Sequence, residues 1–253
     1  MNSINFVKTG SIARITLSKA PLNILDIEDL LRLSALFAKF KTQKDVKAII
    51  IESDQKIFSA GVNVAEHTKE NINRMLKAFM AIFFNMLEVS IPTISLVKSD
   101  CVGGACELAL FCDFVLTDEK AKFSLPEIKL GCYPPAALAF LPYIVGNKRA
   151  LEIILTGKTL SAKEALDLGL VNQVFPTENF EAEAENYINN LVSLSPSVIR
   201  TTIAAYKRMH YNKIRKKLEL AEKLYFEELM LLDDALEGTN SFLEKREPVW
   251  TGR

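Results

Sequence analysis

The sequence predicts an α/β body followed by an all-helical C-terminal part. Three observations carry this. Short β-branched runs alternate with helical patterns up to about residue 176. Beyond Thr177 no strand-like run remains, and charged residues interleave with apolar ones at helical spacing. The chain is also long enough for a substantial core: 253 residues, 49% apolar and 25% charged, as in ordinary globular proteins.

The elements follow in order. Residues 4–8 and 11–18 read as strands around a Lys8-Thr9-Gly10 turn, a hairpin. Asp26 is placed to cap a helix through Phe40, whose apolar face carries Leu30, Leu31, Ser34, Phe37 and Ala38. Residues 46–52 form a buried strand by their β-branched content. Residues 69–88 are helical, and the stripe Met75, Phe79, Ile82, Phe83 and Met86 reads as core rather than as a cofactor lining. Residues 93–98 form another strand. A helix opens at Gly104 and runs to about Cys112, with short strands at 113–117 and 121–123. An irregular segment extends from Ser124 through Pro135. Ser161 and Glu164 make a capping box, and 170–175 is the last strand.

A break at Ser195-Pro196 divides the helical remainder, giving a core of 1–194 and a C-terminal helical region of 195–253. In the charged stretch 213–246, Leu218, Ala221, Leu224, Tyr225 and Leu229 fall at helical spacing. A solvated helix and a helix packed against another subunit both fit that pattern.

Composition excludes several classes. The 31 basic and 31 acidic residues balance, so no global field favours nucleic acid or an anionic membrane. Apolar runs are too short to span a bilayer, and no basic segment precedes an apolar one near Met1, so a cytoplasmic protein is expected. Cys101, Cys106, Cys112 and Cys132 match no zinc template and read as reduced, mostly buried thiols. With only His67 and His210, a histidine-based hydrolase or metal site is not expected; His67 reads as a surface residue on a loop, with a place near the pocket as the alternative.

Three segments carry the chemistry. Phe58-Ser59-Ala60-Gly61-Val62-Asn63 is a small-residue turn after a buried strand. Gly103-Gly104-Ala105-Cys106-Glu107 sets two glycines at a helix start and a carboxylate one turn later, inside an apolar run. Free N–H groups at a helix start suit a developing negative charge, and a carboxylate in apolar surroundings is a candidate acid or base. Pro126-Glu127-Ile128-Lys129-Leu130-Gly131 holds a second glutamate in a loop.

These three in this order resemble the crotonase, or enoyl-CoA hydratase/isomerase, superfamily. The resemblance extends through Pro21-Leu22-Asn23, Leu155-Thr156-Gly157-Lys158, Gly169-Leu170-Val171 and Glu237-Gly238 to Phe242 and Glu244-Lys245-Arg246. It implies a spiral of ββα turns with a C-terminal helical trimerisation region, and a homotrimer or a hexamer of two trimers. It implies that the N–H groups of Ala60 and Gly104 form the oxyanion hole for a CoA thioester. Glu107 would help activate water, and Glu127 would exchange the carbon-bound proton. Residues 58–63 (Phe58, Ala60, Gly61, Val62, Asn63) and Gly103 would line the CoA channel, with Tyr133 and Pro135 shaping the acyl pocket. Phe242 and Lys245 would approach the CoA, often from a neighbouring subunit. No metal and no cofactor beyond the CoA of the substrate are implied.

The run after the second glutamate departs from the family's glycine-rich pattern. Here it reads Gly131-Cys132-Tyr133-Pro134-Pro135-Ala136-Ala137-Leu138. This run, with Glu66-His67-Thr68 and Pro248-Val249-Trp250, is similar to the cyclohexa-1,5-diene-1-carbonyl-CoA hydratases. That similarity implies water attack at the β-carbon of a cyclic dienoyl thioester, with the proton going to the far end of the diene. The product would be 6-hydroxycyclohex-1-ene-1-carbonyl-CoA. A generic short-chain enoyl-CoA hydratase and a non-catalytic CoA-binding protein stand as alternatives.

Overall fold

A computed structural model describes residues 3–68 and 70–253. Strands β1 (Ile4–Thr9) and β2 (Ile12–Leu17) form the expected antiparallel hairpin, with Ile4 opposite Leu17. Helix α1 (Ile27–Phe40) starts at a capping box of Asp26 and Asp29. Its buried face holds Leu30, Leu33, Ser34 and Phe37. Leu31 and Ala38, expected on that face, are exposed, because the stripe turns toward Leu33 when Asp29 is drawn inside to meet Lys19.

From here the chain winds in ββα turns. Strand β3 (Ala48–Ser53) leads into helix α2 (Ile72–Glu88) and strand β4 (Thr93–Val97). Lys69, where a helix was expected to start, lies outside the described residues. Next come β5 (Cys101–Val102), α3 (Gly104–Phe111), β6 (Phe114–Asp118) and β7 (Lys122–Ser124). Helix α4 (Pro135–Thr156), kinked at Gly146, is followed by β8 (Thr159–Ser161), α5 (Ala162–Asp167) and β9 (Gln173–Phe175). The strands sort into a six-stranded sheet, β1-β2-β3-β4-β6-β9, and a three-stranded one, β5-β7-β8. β4 and β6 each enter the large sheet and hand over at once to β5 and β7 in the small one. Of the smaller sheet, β7 matches the strand expected at 121–123, whereas β5 and β8, of two and three residues, carry no periodicity and were not expected.

Four helices complete the chain: α6 (Phe180–Val192), α7 (Pro196–His210), α8 (Asn212–Glu227) and α9 (Asp233–Glu244). Helix α8 buries Ile214, Leu218, Ala221 and Tyr225 and packs on α4 and α2 of its own chain. Leu218, Ala221 and Tyr225 of the expected stripe thus face their own chain, while Leu224 and Leu229 line an outer groove. Helix α7 is tied down by Lys207, whose buried ammonium donates to the carbonyls of Met86 and Val89. Among the described residues no helix is long and apolar enough to cross a membrane. The four cysteines are free and buried.

Helix α9 rests on the turn that carries Glu127. A Cβ built on Gly238 would stand 2.3 Å from the Leu130 oxygen and 2.7 Å from the Gly131 nitrogen. Both are backbone atoms and cannot swing away. Gly238→Ala is therefore expected to lower stability by about 2 kcal/mol, within the range for overpacked sites. That corresponds to a fall of roughly 6 °C in the thermal midpoint for a chain this long. An unchanged midpoint would show that α9 does not seat there.

Candidate active site

The 58–63 turn and the Gly103-Gly104 turn are stitched together by backbone bonds. The N–H of Phe58 donates to Asp100 at 3.0 Å, and that of Val102 donates to Ser59 at 3.0 Å. Gly61, at φ +99°, permits this approach: a Cβ there would lie 3.0 Å from the Val102 oxygen. Gly103, at φ +59° and ψ −139°, makes the sharp entry into α3, so that Gly104 is the first helical residue. The first N–H groups of a helix have no intrahelical partner; that of Gly104 has no hydrogen-bond partner among the described residues, and Gly104 lines the cleft at the positive end of the helix dipole.

Glu107 lies one turn into α3 and is 1% exposed. Its Oε1 accepts a hydrogen bond from the Ala137 N–H at 2.8 Å. That N–H belongs to the first turn of α4, which starts with Pro135 and so has no donor to lose at that position. The segment expected to be irregular through Pro135 thus has its last residue inside a helix, and the helix start holds Glu107. Burial pushes the Glu107 carboxyl well above the usual range, the charge of Glu127 adds to this, and the Ala137 and Ala136 N–H groups oppose it.

Glu127 opens a 3-10 turn, Glu127–Leu130. Both its carboxylate oxygens are buried without a hydrogen-bond partner among the described residues. A Cβ on Gly103 would come within 3.2 Å of Glu127 Oε1, so this carboxyl leans over the glycine turn. Burial raises it to about 7. Two carboxyls facing one another in an apolar pocket resist double ionisation, so the pair keeps a proton near neutrality.

One cavity of about 580 Å³, counting its open mouth, gathers these groups. Of the residues expected at the site, Ala60, Gly61, Val62, Gly103, Gly104, Glu107, Glu127, Tyr133 and Pro135 line it. Others are placed elsewhere. Phe58 is 1% exposed within the core, and its carbonyl accepts from Asn23. Asn63 caps the short 3-10 turn Val64–Glu66 through its side chain. Phe242 is exposed on α9, and Lys245 ends that helix in a left-handed conformation; neither lines the cavity.

The expected oxyanion pair is also modified. The Ala60 N–H donates to the Leu22 carbonyl at 2.9 Å. A thioester oxygen would share that donor with Leu22 or displace it, whereas the Gly104 donor is open.

Residues not expected at the site are present. His67 lines the cavity instead of standing on the surface. Its Nδ1 lies 3.3 Å from the Asn63 carbonyl, so Nδ1 carries the hydrogen and Nε2 is an acceptor. Burial lowers its pKa, keeping the ring neutral. Met75 and Phe79 of the core stripe also form cavity wall, and Tyr225 reaches it from α8. Nothing local in the sequence marks Tyr225, because its place depends on where α8 folds back.

The family model described as enoyl-CoA hydratase/isomerase matches residues 7–253. A cyclohexa-1,5-dienecarbonyl-CoA hydratase of Thauera aromatica is 30% identical over 247 residues, covering 97% of this chain and 95% of the relative. A protein of Dictyostelium discoideum described as a probable mitochondrial enoyl-CoA hydratase is 32% identical over 251 residues, with 96% and 88% covered. The crystal structure of an enoyl-CoA hydratase from Mycobacterium avium subsp. paratuberculosis K-10 matches with a TM-score of 0.89 at 25% identity, over 99% of both chains.

Proposed function

The chain belongs to the enoyl-CoA hydratase/isomerase family, and from that premise we propose that it is a hydro-lyase adding water across a conjugated enoyl-CoA thioester. The single observation that carries this is the facing pair Glu107 and Glu127, both buried, both with raised pKa, beside an open helix N-terminus at Gly104. Binding a thioester without turnover would need neither carboxylate.

The chemistry follows from the geometry. An isolated alkene resists water, but a conjugated thioester accepts it at the β-carbon when the enolate oxygen is stabilised. The Gly104 N–H and the dipole of α3 meet that oxygen, with the Ala60 N–H as second donor once it is shared with Leu22. In the form of the pair that reacts, with its one proton on Glu127, Glu107 is held through one oxygen by Ala137 and accepts the proton of the attacking water with the other. Glu127, unpartnered at both oxygens, delivers its proton to carbon. Each step moves one proton, and the pair ends with its proton exchanged between partners.

For the substrate, our reading favours a compact cyclic dienoyl thioester, cyclohexa-1,5-diene-1-carbonyl-CoA, hydrated by net 1,4-addition. The Thauera relative and the apolar walls contributed by Tyr133, Pro135 and Phe79 support it. The alternative, a short-chain enoyl-CoA, stands equally, since the Dictyostelium relative is described as an enoyl-CoA hydratase without a cyclic substrate. Assay of crotonyl-CoA beside the cyclic dienoyl-CoA separates the two by kcat/KM. In either case Glu107→Gln is expected to reduce kcat by about 10²–10⁴-fold, the usual worth of a general base. Full activity in that variant would remove the mechanism. We read the assembly as a trimer or a pair of trimers; a monomer by light scattering would count against this.

A further inference from the structure

We propose that Tyr133 is the end wall of the acyl pocket and sets the length of acyl group the enzyme takes; this rests on the hydratase reading above. Among the described residues, Tyr133 alone lines both the catalytic cavity and a second, outer groove on the far side of its ring. That groove runs between α4 and α8 and is walled by Leu138, Leu220, Leu224, Leu229 and Leu232.

The wall is held shut from two directions. The Tyr133 hydroxyl donates to the Ala221 carbonyl of α8 at 3.0 Å. Its ring stands edge-on to that of Tyr225, with centroids 5.0 Å apart. Tyr225 is 2% exposed and cannot step aside without lifting α8. Tyr133 itself follows Cys132, whose N–H and Sγ both bond to the Glu127 carbonyl, so the wall and the catalytic turn are one rigid piece. An acyl group that ends within the cavity fits. A longer alkyl chain meets the phenol ring, although leucines that would suit it lie just behind.

The test compares crotonyl-CoA with trans-2-decenoyl-CoA, following loss of the conjugated thioester. The wild type is expected to prefer crotonyl-CoA by about 100-fold in kcat/KM, in line with what a methylene-scale obstruction achieves. Tyr133→Ala is expected to shrink that preference about tenfold or more, through a gain on decenoyl-CoA. Tyr133→Phe keeps the ring and the preference. Adding Leu220→Trp to Tyr133→Ala refills the groove and removes the gain. If Tyr133→Ala does not fold, as judged by circular dichroism, Tyr133→Leu takes its place.

A wild type that hydrates both substrates equally, or a truncated variant whose preference is unchanged, overturns the wall. Should no form hydrate either substrate or the cyclic dienoyl-CoA, the hydratase reading fails. The wall is then read separately by calorimetry with butyryl-CoA and decanoyl-CoA. A gain in decanoyl-CoA affinity on truncation upholds it, and no gain overturns it.

Discussion

Glu127→Gln is expected to lose about 10²–10⁴-fold in kcat while becoming more stable above neutral pH. The two effects have one cause. Both oxygens of Glu127 are buried without partners, so the carboxyl is useful as a proton donor and costly as an anion. Its folded pKa is about 7, above the 4.5 of a free glutamate. For a group raised in the folded state, the stabilising contribution is complete below pH 4.5 and is lost as pH rises through 7. At pH 8 that loss amounts to about 3 kcal/mol. Glutamine cannot ionise and escapes it. The variant should melt roughly 10 °C higher than wild type at pH 8, with the gap closing near pH 4.5.

Thermal scans at the two pH values check this, and equal midpoints at pH 8 would refute it. The same ionisation shapes the rate. If Glu127 is the acid, kcat/KM for hydration falls as pH rises past about 7. A rise over that range would assign the acid role to Glu107 instead.

Gly104→Ala is expected to lower kcat/KM by about 10²–10³-fold, comparable with the loss of one oxyanion-hole donor, although the N–H itself is retained. A Cβ there would stand 2.7 Å from Val62 Cγ2 and 3.1 Å from two carbons of the Phe79 ring. Phe79 has little room to yield. Phe79 packs edge-on to Phe83, Phe83 to Phe111 and Phe111 to Phe140, a chain of rings with centroids 4.9 to 5.3 Å apart. The start of α3 must shift to accommodate the methyl, carrying the N–H away from the thioester oxygen. Misplacement of about an ångström is enough for a loss of this size. The fold should survive with about 1–3 kcal/mol less stability. Parallel measurement of melting and kcat/KM separates the two, and unimpaired turnover would exclude Gly104 from the oxyanion site.

The parts of the site that were legible in the sequence are those whose function depends on a few consecutive residues. A glycine pair before a carboxylate, in an apolar run, is a local arrangement: Gly103 and Gly104 shape the helix start and Glu107 follows by one turn. The cap at Asp26 and the capping box at Ser161 belong to the same class, and both are present. Element order was legible for the same reason, down to the point where strands end. The least successful readings concerned position between elements. Leu31 was assigned to the buried face that Leu33 occupies, and Phe58 to a channel from which it is turned away.

The alternating α/β body and the helical end are encoded in short-range patterns of shape, polarity and backbone freedom, and the ordered motifs carry the resemblance to the family and to its two glutamates. Tertiary structure alone decided who meets whom. It set the first turn of α4 against Glu107, the Leu22 carbonyl on the Ala60 N–H, and His67 inside the cavity. It also returned α8 to its own chain, so that Tyr225 stands edge-on to Tyr133 beside the cavity. The partners in these contacts are separated in sequence by 30, 38 and 92 positions in the pairs Glu107–Ala137, Leu22–Ala60 and Tyr133–Tyr225. They come together when the apolar faces of the helices, α2, α4 and α8 among them, are buried in one close-packed core.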